Sequence, residues 1–283
     1  MHLAQTLSQE LNQDVTDIAP LSGGCIGQVY RLQLADGARL VAKVDDGPRP
    51  KLDIEGYMLR YLGDHSDLPV PEVVVDRADL LVMTWLPGRS TFSAGAQAHA
   101  AELLAALHAI SAEQFGLARD TLIGGLHQPN TQMAGWLDFF REQRLLYMGQ
   151  QGVDTGRLPT AVYTRLATFA DHLDKWLAEP ERPSLIHGDV WTTNVLAEGG
   201  RITGFVDPAI YYAHPEIELA FTTLFGTFGE PFFARYQEIR PLAPGFFEER
   251  RDIYNLYPLL VHVRLFGGSY VSSVDRILRR FGY

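Results

Sequence analysis

Hydrophobic positions change their period once along this chain, and the change divides it. Leu3, Leu7 and Leu11 recur at helical spacing with polar residues between them, which predicts a short amphipathic helix at the start. An extended stretch over 15–21 leads into Ser22-Gly23-Gly24-Cys25-Ile26-Gly27, and an alternating run follows over 29–34. Asp36-Gly37 makes a hairpin turn into 39–44, where Leu40, Ala42 and Val44 share one face and Val41 and Lys43 the other. Ile54, Met58, Leu59 and Leu62 mark a helix over 52–62 that ends before Pro69 and Pro71. Two short apolar runs, 73–76 and 80–84, complete a prediction of five strands with one inserted helix.

From Pro87-Gly88 onward the period lengthens to that of helices, as over 96–110 and 136–147. A single β interruption falls within 184–207, where Glu198-Gly199-Gly200-Arg201 reads as a hairpin turn between Asn194-Val195-Leu196 and 202–206. The expectation is an α+β, two-lobed protein: a sheet lobe over 1–86, a hinge near Leu86, and a larger, mostly helical lobe over 87–283.

Composition narrows the class of function. A chain of 283 residues that is 46% hydrophobic and 20% charged can build a sizeable core. No apolar run approaches the ~20 residues a membrane helix needs, and the first residues lack the basic and apolar regions of a secretory signal. The formal net charge is −10 with no Lys/Arg stripe, which argues against nucleic acid as a partner and suits a cationic or neutral substrate. The one cysteine, Cys25, has no internal partner, which fits a reducing cytoplasm. Within a glycine loop its thiol can favour the thiolate, so a monomer or a dimer linked through Cys25 is expected, alongside the plain alternative of a small buried residue.

The sharpest chemical signal is His187-Gly188-Asp189-Val190-Trp191-Thr192-Thr193-Asn194, with Asp207 closing a later apolar strand. Phosphoryl transfer needs a carboxylate to accept the proton of the attacking hydroxyl. It also needs an amide oxygen and a second carboxylate to hold Mg²⁺ against the nucleotide phosphates, since oxygen ligands suit that hard cation. Asp189, Asn194 and Asp207 can fill these posts. Lys43, on the third strand in Val41-Ala42-Lys43, stands where a phosphate-pairing lysine belongs, and Glu55 on the following helix can fix it. The glycines Gly23 and Gly24 would let backbone N–H groups approach phosphate. Thr84, Trp85 and Leu86 run from strand into hinge, where backbone groups can meet an adenine edge. His187 reads as a brace for the Asp207 turn. ATP and Mg²⁺ are the expected cofactors.

With these residues in view the chain resembles the fructosamine/ketosamine 3-kinase family, relatives of aminoglycoside phosphotransferases with a protein-kinase-like fold. The resemblance is carried by His187-Gly188-Asp189 with Trp191, by Phe205-Val206-Asp207-Pro208-Ala209 with Tyr211-Tyr212, by Glu218-Leu219-Ala220, and by Tyr254-Asn255-Leu256-Tyr257 and Leu265-Phe266-Gly267-Gly268. It implies that Asp189 is the proton acceptor, that Thr84, Trp85 and Leu86 line the nucleotide, and that a ketosamine or glycated amine is phosphorylated at O-3. Two stretches depart from the pattern: Thr192-Thr193 replaces a usual Ser-Gly pair, and His214-Pro215-Glu216 a common Asp-Arg-Glu run. Trp191, Tyr211, Tyr212 and Glu216 are candidate substrate contacts, and Glu218 a brace. The rival expectations are a kinase for another small alcohol, aminoglycoside-like or choline-like, and a nucleotide-binding pseudoenzyme; the latter has no missing catalytic group to recommend it.

Overall fold

The computed structural model describes residues 2–21 and 27–283, so the expectations resting on Gly23, Gly24 and Cys25 lie outside the described residues. A short helix α1 (His2–Leu11) precedes a five-stranded antiparallel sheet made of β1 (Val15–Leu21), β2 (Gln28–Leu34), β3 (Arg39–Val44), β4 (Val73–Asp76) and β5 (Leu80–Thr84), in the order β1-β2-β3-β5-β4. Between β3 and β4 the chain forms α2 (Leu52–His65).

Alternation on β3 assigns the two faces. Leu40 and Ala42 join Leu32, Leu34, Leu80 and Val82 beneath Leu7 of α1. On the other face Leu81 and Met83 pack with Leu52 and Leu59 of α2, and Val41 reaches the same cluster. Lys43 shares that second face, so strand periodicity alone turns it toward α2. The helix runs one turn further than its apolar spacing predicted, ending where Ser66 donates to the Leu62 carbonyl at 2.6 Å.

The chain then passes through residues 85–88 into the helical part. Its elements are α3 (Ala94–Leu107), a small hairpin β6 (Thr121–Ile123) and β7 (Leu126–Gln128), then α4 (Trp136–Phe139), continued by a π-helical stretch over Phe140–Leu146 into α5 (Tyr147–Asp154), and α6 (Thr160–Ala170). Next come β8 (Ser184–Ile186), β9 (Val195–Glu198), β10 (Arg201–Phe205) and β11 (Tyr211–Ala213), followed by α7 (Glu216–Leu224), α8 (Glu230–Ile239), α9 (Arg251–Phe266) and α10 (Ser269–Arg280). Helix α3 spans 94–107 rather than 96–110 because the Ser93 side chain caps it, accepting from the Ala96 N–H. Helix α9 has ten buried residues, Pro258 among them, and lies in the main core, which explains why it shows little amphipathic signal. Among the described residues, no helix is long and apolar enough to cross a membrane.

Candidate active site

Strand pairing brings the separated motif residues together. β8 pairs antiparallel with β11, and β9 with β10, so the chain leaves at Ile186 and returns beside it at Tyr211. Within this excursion the Ala209 N–H donates to the His187 carbonyl at 2.8 Å and the Val206 N–H to the Asn194 carbonyl at 2.9 Å. The loop carrying Asp189 and the turn carrying Asp207 are thereby stitched to each other. Two backbone conformations complete the arrangement. Gly188 has φ +86°, and a Cβ there would lie 2.1 Å from the Ala209 carbonyl oxygen, so only glycine fits. Asp207 itself sits at φ +54°, a left-handed conformation that a non-glycine residue holds only when its surroundings impose it.

Lys43 is the cation of the site. Its Nζ lies 2.6 Å from Glu55 Oε1 and also bonds Asp207. Lys43 and Glu55 are each 5% exposed. Burial works to lower the lysine, but the charges of Asp207 and Glu55 outweigh it and hold the ammonium well above its usual range. Asp207 is likewise disfavoured by burial, yet the charge and hydrogen bond of Lys43 keep its carboxyl below normal. For Glu55 burial wins and pushes the carboxyl up despite the lysine.

Asp189 stands apart from that cation. Burial, then the charge of Asp207, raise its carboxyl well above the ordinary carboxylate range, with only the Asn194 hydrogen bond working the other way. A carboxylate of raised proton affinity is what a general base at neutral pH requires. Asn194 donates from Nδ2 to Asp189 Oδ2 at 2.9 Å and to the Asp189 carbonyl at 3.1 Å. That commits the amide nitrogen and leaves Oδ1, 3.4 Å from the Thr193 hydroxyl, as the outward acceptor.

Two spaces adjoin these groups. The first is lined mainly by apolar side chains, Val29, Val41, Met83, Leu86 and Leu196 among them, with Thr84 and Trp85 on its rim, and it reaches Lys43 and Asp207. Its apolar lining suits a flat base, with Lys43 and Asp207 placed to meet a phosphate chain. The second contains Lys43, Asp189, Trp191, Asn194 and Asp207, and is bounded also by Met58, Leu122, Gly124 and Gly125. None of those last four was expected at the site from the sequence, where Met58 counted only as part of a helix face; the paired glycines of the β6–β7 turn were the one visible signal.

Other expected site residues do not line these two spaces. Tyr211 is 1% exposed, with the Arg144 guanidinium 3.8 Å from its ring centre. Tyr212 is buried and its hydroxyl pairs with that of Tyr61 at 3.1 Å. Both carboxylate oxygens of Glu216 are taken by Arg250 at 2.7 Å, so the structure does not bring this residue to the cleft. Glu218 braces the loop: its Oε1 accepts the Gly188 N–H at 2.6 Å and its Oε2 contacts His108, which in turn meets the Tyr236 hydroxyl. His187 is wholly buried, and its Nδ1 accepts from the Asp189 N–H at 3.3 Å. Burial lowers its proton affinity, as befits a neutral brace.

Among the described residues no group of three or more His, Cys, Asp or Glu could hold a metal ion. Mg²⁺ asks for less, because it keeps waters and takes phosphate oxygens beside one or two protein ligands. The outward Oδ1 of Asn194 and the carboxylate of Asp207 fit that demand.

A model of the fructosamine kinase family matches residues 1–281. Relatives named probable ketoamine kinase include one from Vibrio parahaemolyticus, 34% identical over 298 residues with 98% of both chains covered. Another, from Escherichia coli K12, is 32% identical over 292 residues, again covering 98% of each. A solved structure from Thermobifida fusca that carries the fructosamine-3-kinase name superposes with a TM-score of 0.85 at 34% identity, covering 98% of each chain. An aminoglycoside phosphotransferase solved with ADP and hygromycin B has a TM-score of 0.72 at 19% identity over 100% of both chains, a likeness of fold alone. With its kinase-like fold and Lys43, Asp189 and Asp207 assembled on one cavity, the chain belongs to the fructosamine kinase family.

Proposed function

We propose that the protein transfers the γ-phosphoryl group of ATP to O-3 of a ketosamine such as ribuloselysine or fructoselysine, and that it does so in the cytoplasm, in the service of deglycation. Residues 1–86 act as the nucleotide lobe and 87–283 as the catalytic and acceptor lobe. The observation that carries the reading is the convergence of Lys43, Asp189, Asn194 and Asp207 on one cavity adjoining an apolar base pocket. Support for the acceptor comes from the relatives' names.

Each residue's part follows from its environment. Lys43, fixed by Glu55, presents a permanent positive charge to phosphate oxygens. Asp189, its proton affinity raised by burial, takes the proton of the acceptor hydroxyl and orients that oxygen toward the phosphorus. Asn194 and Asp207 would hold Mg²⁺, which when bound neutralises phosphate charge. Most of the rate enhancement then comes from positioning and electrostatics already present in the fold. A phosphate at C3 of a 1-amino-2-keto sugar leaves readily after enolisation; its loss from the 1,2-enaminol breaks the C3–O bond and leaves an imine at C1, which water would hydrolyse to free the amine.

The test is ADP release from ATP with Mg²⁺ present or absent, using ribuloselysine and fructoselysine beside an aminoglycoside and a no-acceptor control. Turnover with ketosamines alone supports the assignment. Turnover with the aminoglycoside alone keeps the kinase and discards the acceptor.

A further inference from the structure

Asp189 lines two cavities, and one short element contributes to both. Gly124 and Gly125, at the tip of the β6–β7 hairpin, line the cavity that holds Lys43 and Asp207; Ile123, the residue before them, lines a smaller apolar cavity with Tyr211, Tyr257 and Asp189. The hairpin joins β6 to β7 by a two-residue turn, Ile123 pairing with Leu126. Its central residues have φ +52° and +80°. Positive φ at both positions makes this a type I′ turn, for which Asn-Gly is the most favoured sequence. Turn chemistry therefore accounts for Gly125 but not for Gly124, where asparagine would serve as well and would cost the unfolded chain less entropy. A glycine at 124 puts no side chain on the cavity that it lines.

The hairpin is also held rigidly against the catalytic turn. Thr121, Gln128 and Asn130 are all 0% exposed. Gln128 Nε2 donates to the Thr121 hydroxyl at 2.8 Å and to the Ala209 carbonyl at 3.0 Å, while the Tyr257 hydroxyl donates to Gln128 Oε1 at 2.6 Å. Asn130 Nδ2 reaches the same threonine hydroxyl at 2.8 Å, and Arg144 holds Asn130 Oδ1 at 2.7 Å. Ala209 lies two residues beyond Asp207, so this buried polar network fixes the tip relative to the acidic turn. A buried hydrogen-bonded network of this kind makes a wall rather than a lid.

We infer that the side-chain-free tip at Gly124 is the specificity-determining wall of the acceptor site, its bare backbone leaving the width that a sugar chain needs beside Asp189. This deepens the ketosamine reading and rests on it. The test is Gly124→Asn, which the turn accepts without strain, with Gly124→Asp as a second fold-compatible variant. The expected result is an unchanged or raised melting temperature, an unchanged KM for ATP, and a fall of at least about tenfold in kcat/KM for fructoselysine. If the variants melt as wild type and keep their kcat/KM for fructoselysine within about twofold, the wall assignment is overturned while the function stands. A rise in the KM for ATP equal to the loss on the acceptor also overturns it, since the tip would then serve the nucleotide. A wild-type enzyme that leaves ketosamines untouched overturns the acceptor reading itself, and that result is read without any variant.

Discussion

His214 offers a test in which the magnitude follows directly from the structure. Its Nδ1 accepts the Glu216 N–H at 3.1 Å, and its ring lies 5.5 Å from Tyr254 and 6.3 Å from Trp136. Burial drives its pKa from 6.5 down to about 4, Glu216 acting against this and Arg250, His108 and Arg240 with it. The folded-state value is depressed, so the stability that the neutral ring contributes is complete above the unfolded value and is lost as pH falls toward the folded one. Between about pH 7.5 and about pH 5 the loss comes to about 2 kcal/mol. For a chain of this size that is roughly 4–8 °C in melting temperature. His214→Asn keeps an acceptor for the Glu216 N–H and removes the titration, at the expense of a packing loss that does not vary with pH. Thermal melts of both proteins across this range should show the wild-type advantage shrinking by about 2 kcal/mol on acidification. Parallel curves would refute the reasoning, because they would mean that the ring does not titrate differently in the folded chain.

Three further outcomes are expected. Asp189→Asn should lower kcat by about 10²–10⁴ while leaving nucleotide affinity intact. Because the folded-state pKa of Asp189 is raised, the variant should also melt higher than wild type at neutral pH, an advantage that vanishes as pH falls toward the ordinary carboxyl value of 3.8. Lys43→Met leaves Glu55 and Asp207 facing each other without their cation, so it should cost about 3–5 kcal/mol, more at high pH than at low, measured by denaturant melts. Gly188→Ala sets a methyl against the Ala209 carbonyl. Displacement of Asp189 by about 1 Å should then reduce kcat by about 10²-fold in the same ADP-release assay.

The sheet lobe was legible because its strands are short, alternating and punctuated by turns: the two faces of β3, and hence the direction of Lys43, follow from a period of two. Asp189, Asn194 and Asp207 were legible because they lie close in sequence on one β excursion. Tyr211 and Glu216 stand outside the cavity of Lys43 and Asp207 for a physical reason. Sequence shows that an aromatic or an acid stands near the motif, but not that Arg144 and Arg250 occupy them, since those partners come from the π-helical stretch before α5 and from the residue just before α9. Gly124 and Gly125 were passed over because a diglycine turn looks the same whether it faces solvent or a cleft. Helices α7 and α9 lacked distinct borders because most of their residues are buried, which erases the amphipathic stripe.

The electrostatics of the cleft connect these points to function. One buried ammonium, Lys43, faces Glu55 and Asp207, and Asp189 adds a third carboxyl whose proton affinity is raised by its surroundings. Left to stability alone, such a cluster would be replaced by apolar residues of similar volume, because desolvated acids in excess of their cation oppose folding. The strained φ of Asp207 adds to the same account. The arrangement is intelligible if the excess negative charge is complementary to a divalent cation held by Asn194 and Asp207, and if the raised Asp189 is the base. The Asp189→Asn experiment joins the two halves of this argument: a variant that gains stability as it loses turnover shows that the same half-buried charge that opposes folding drives the chemistry, whereas loss of both would make Asp189 a structural residue.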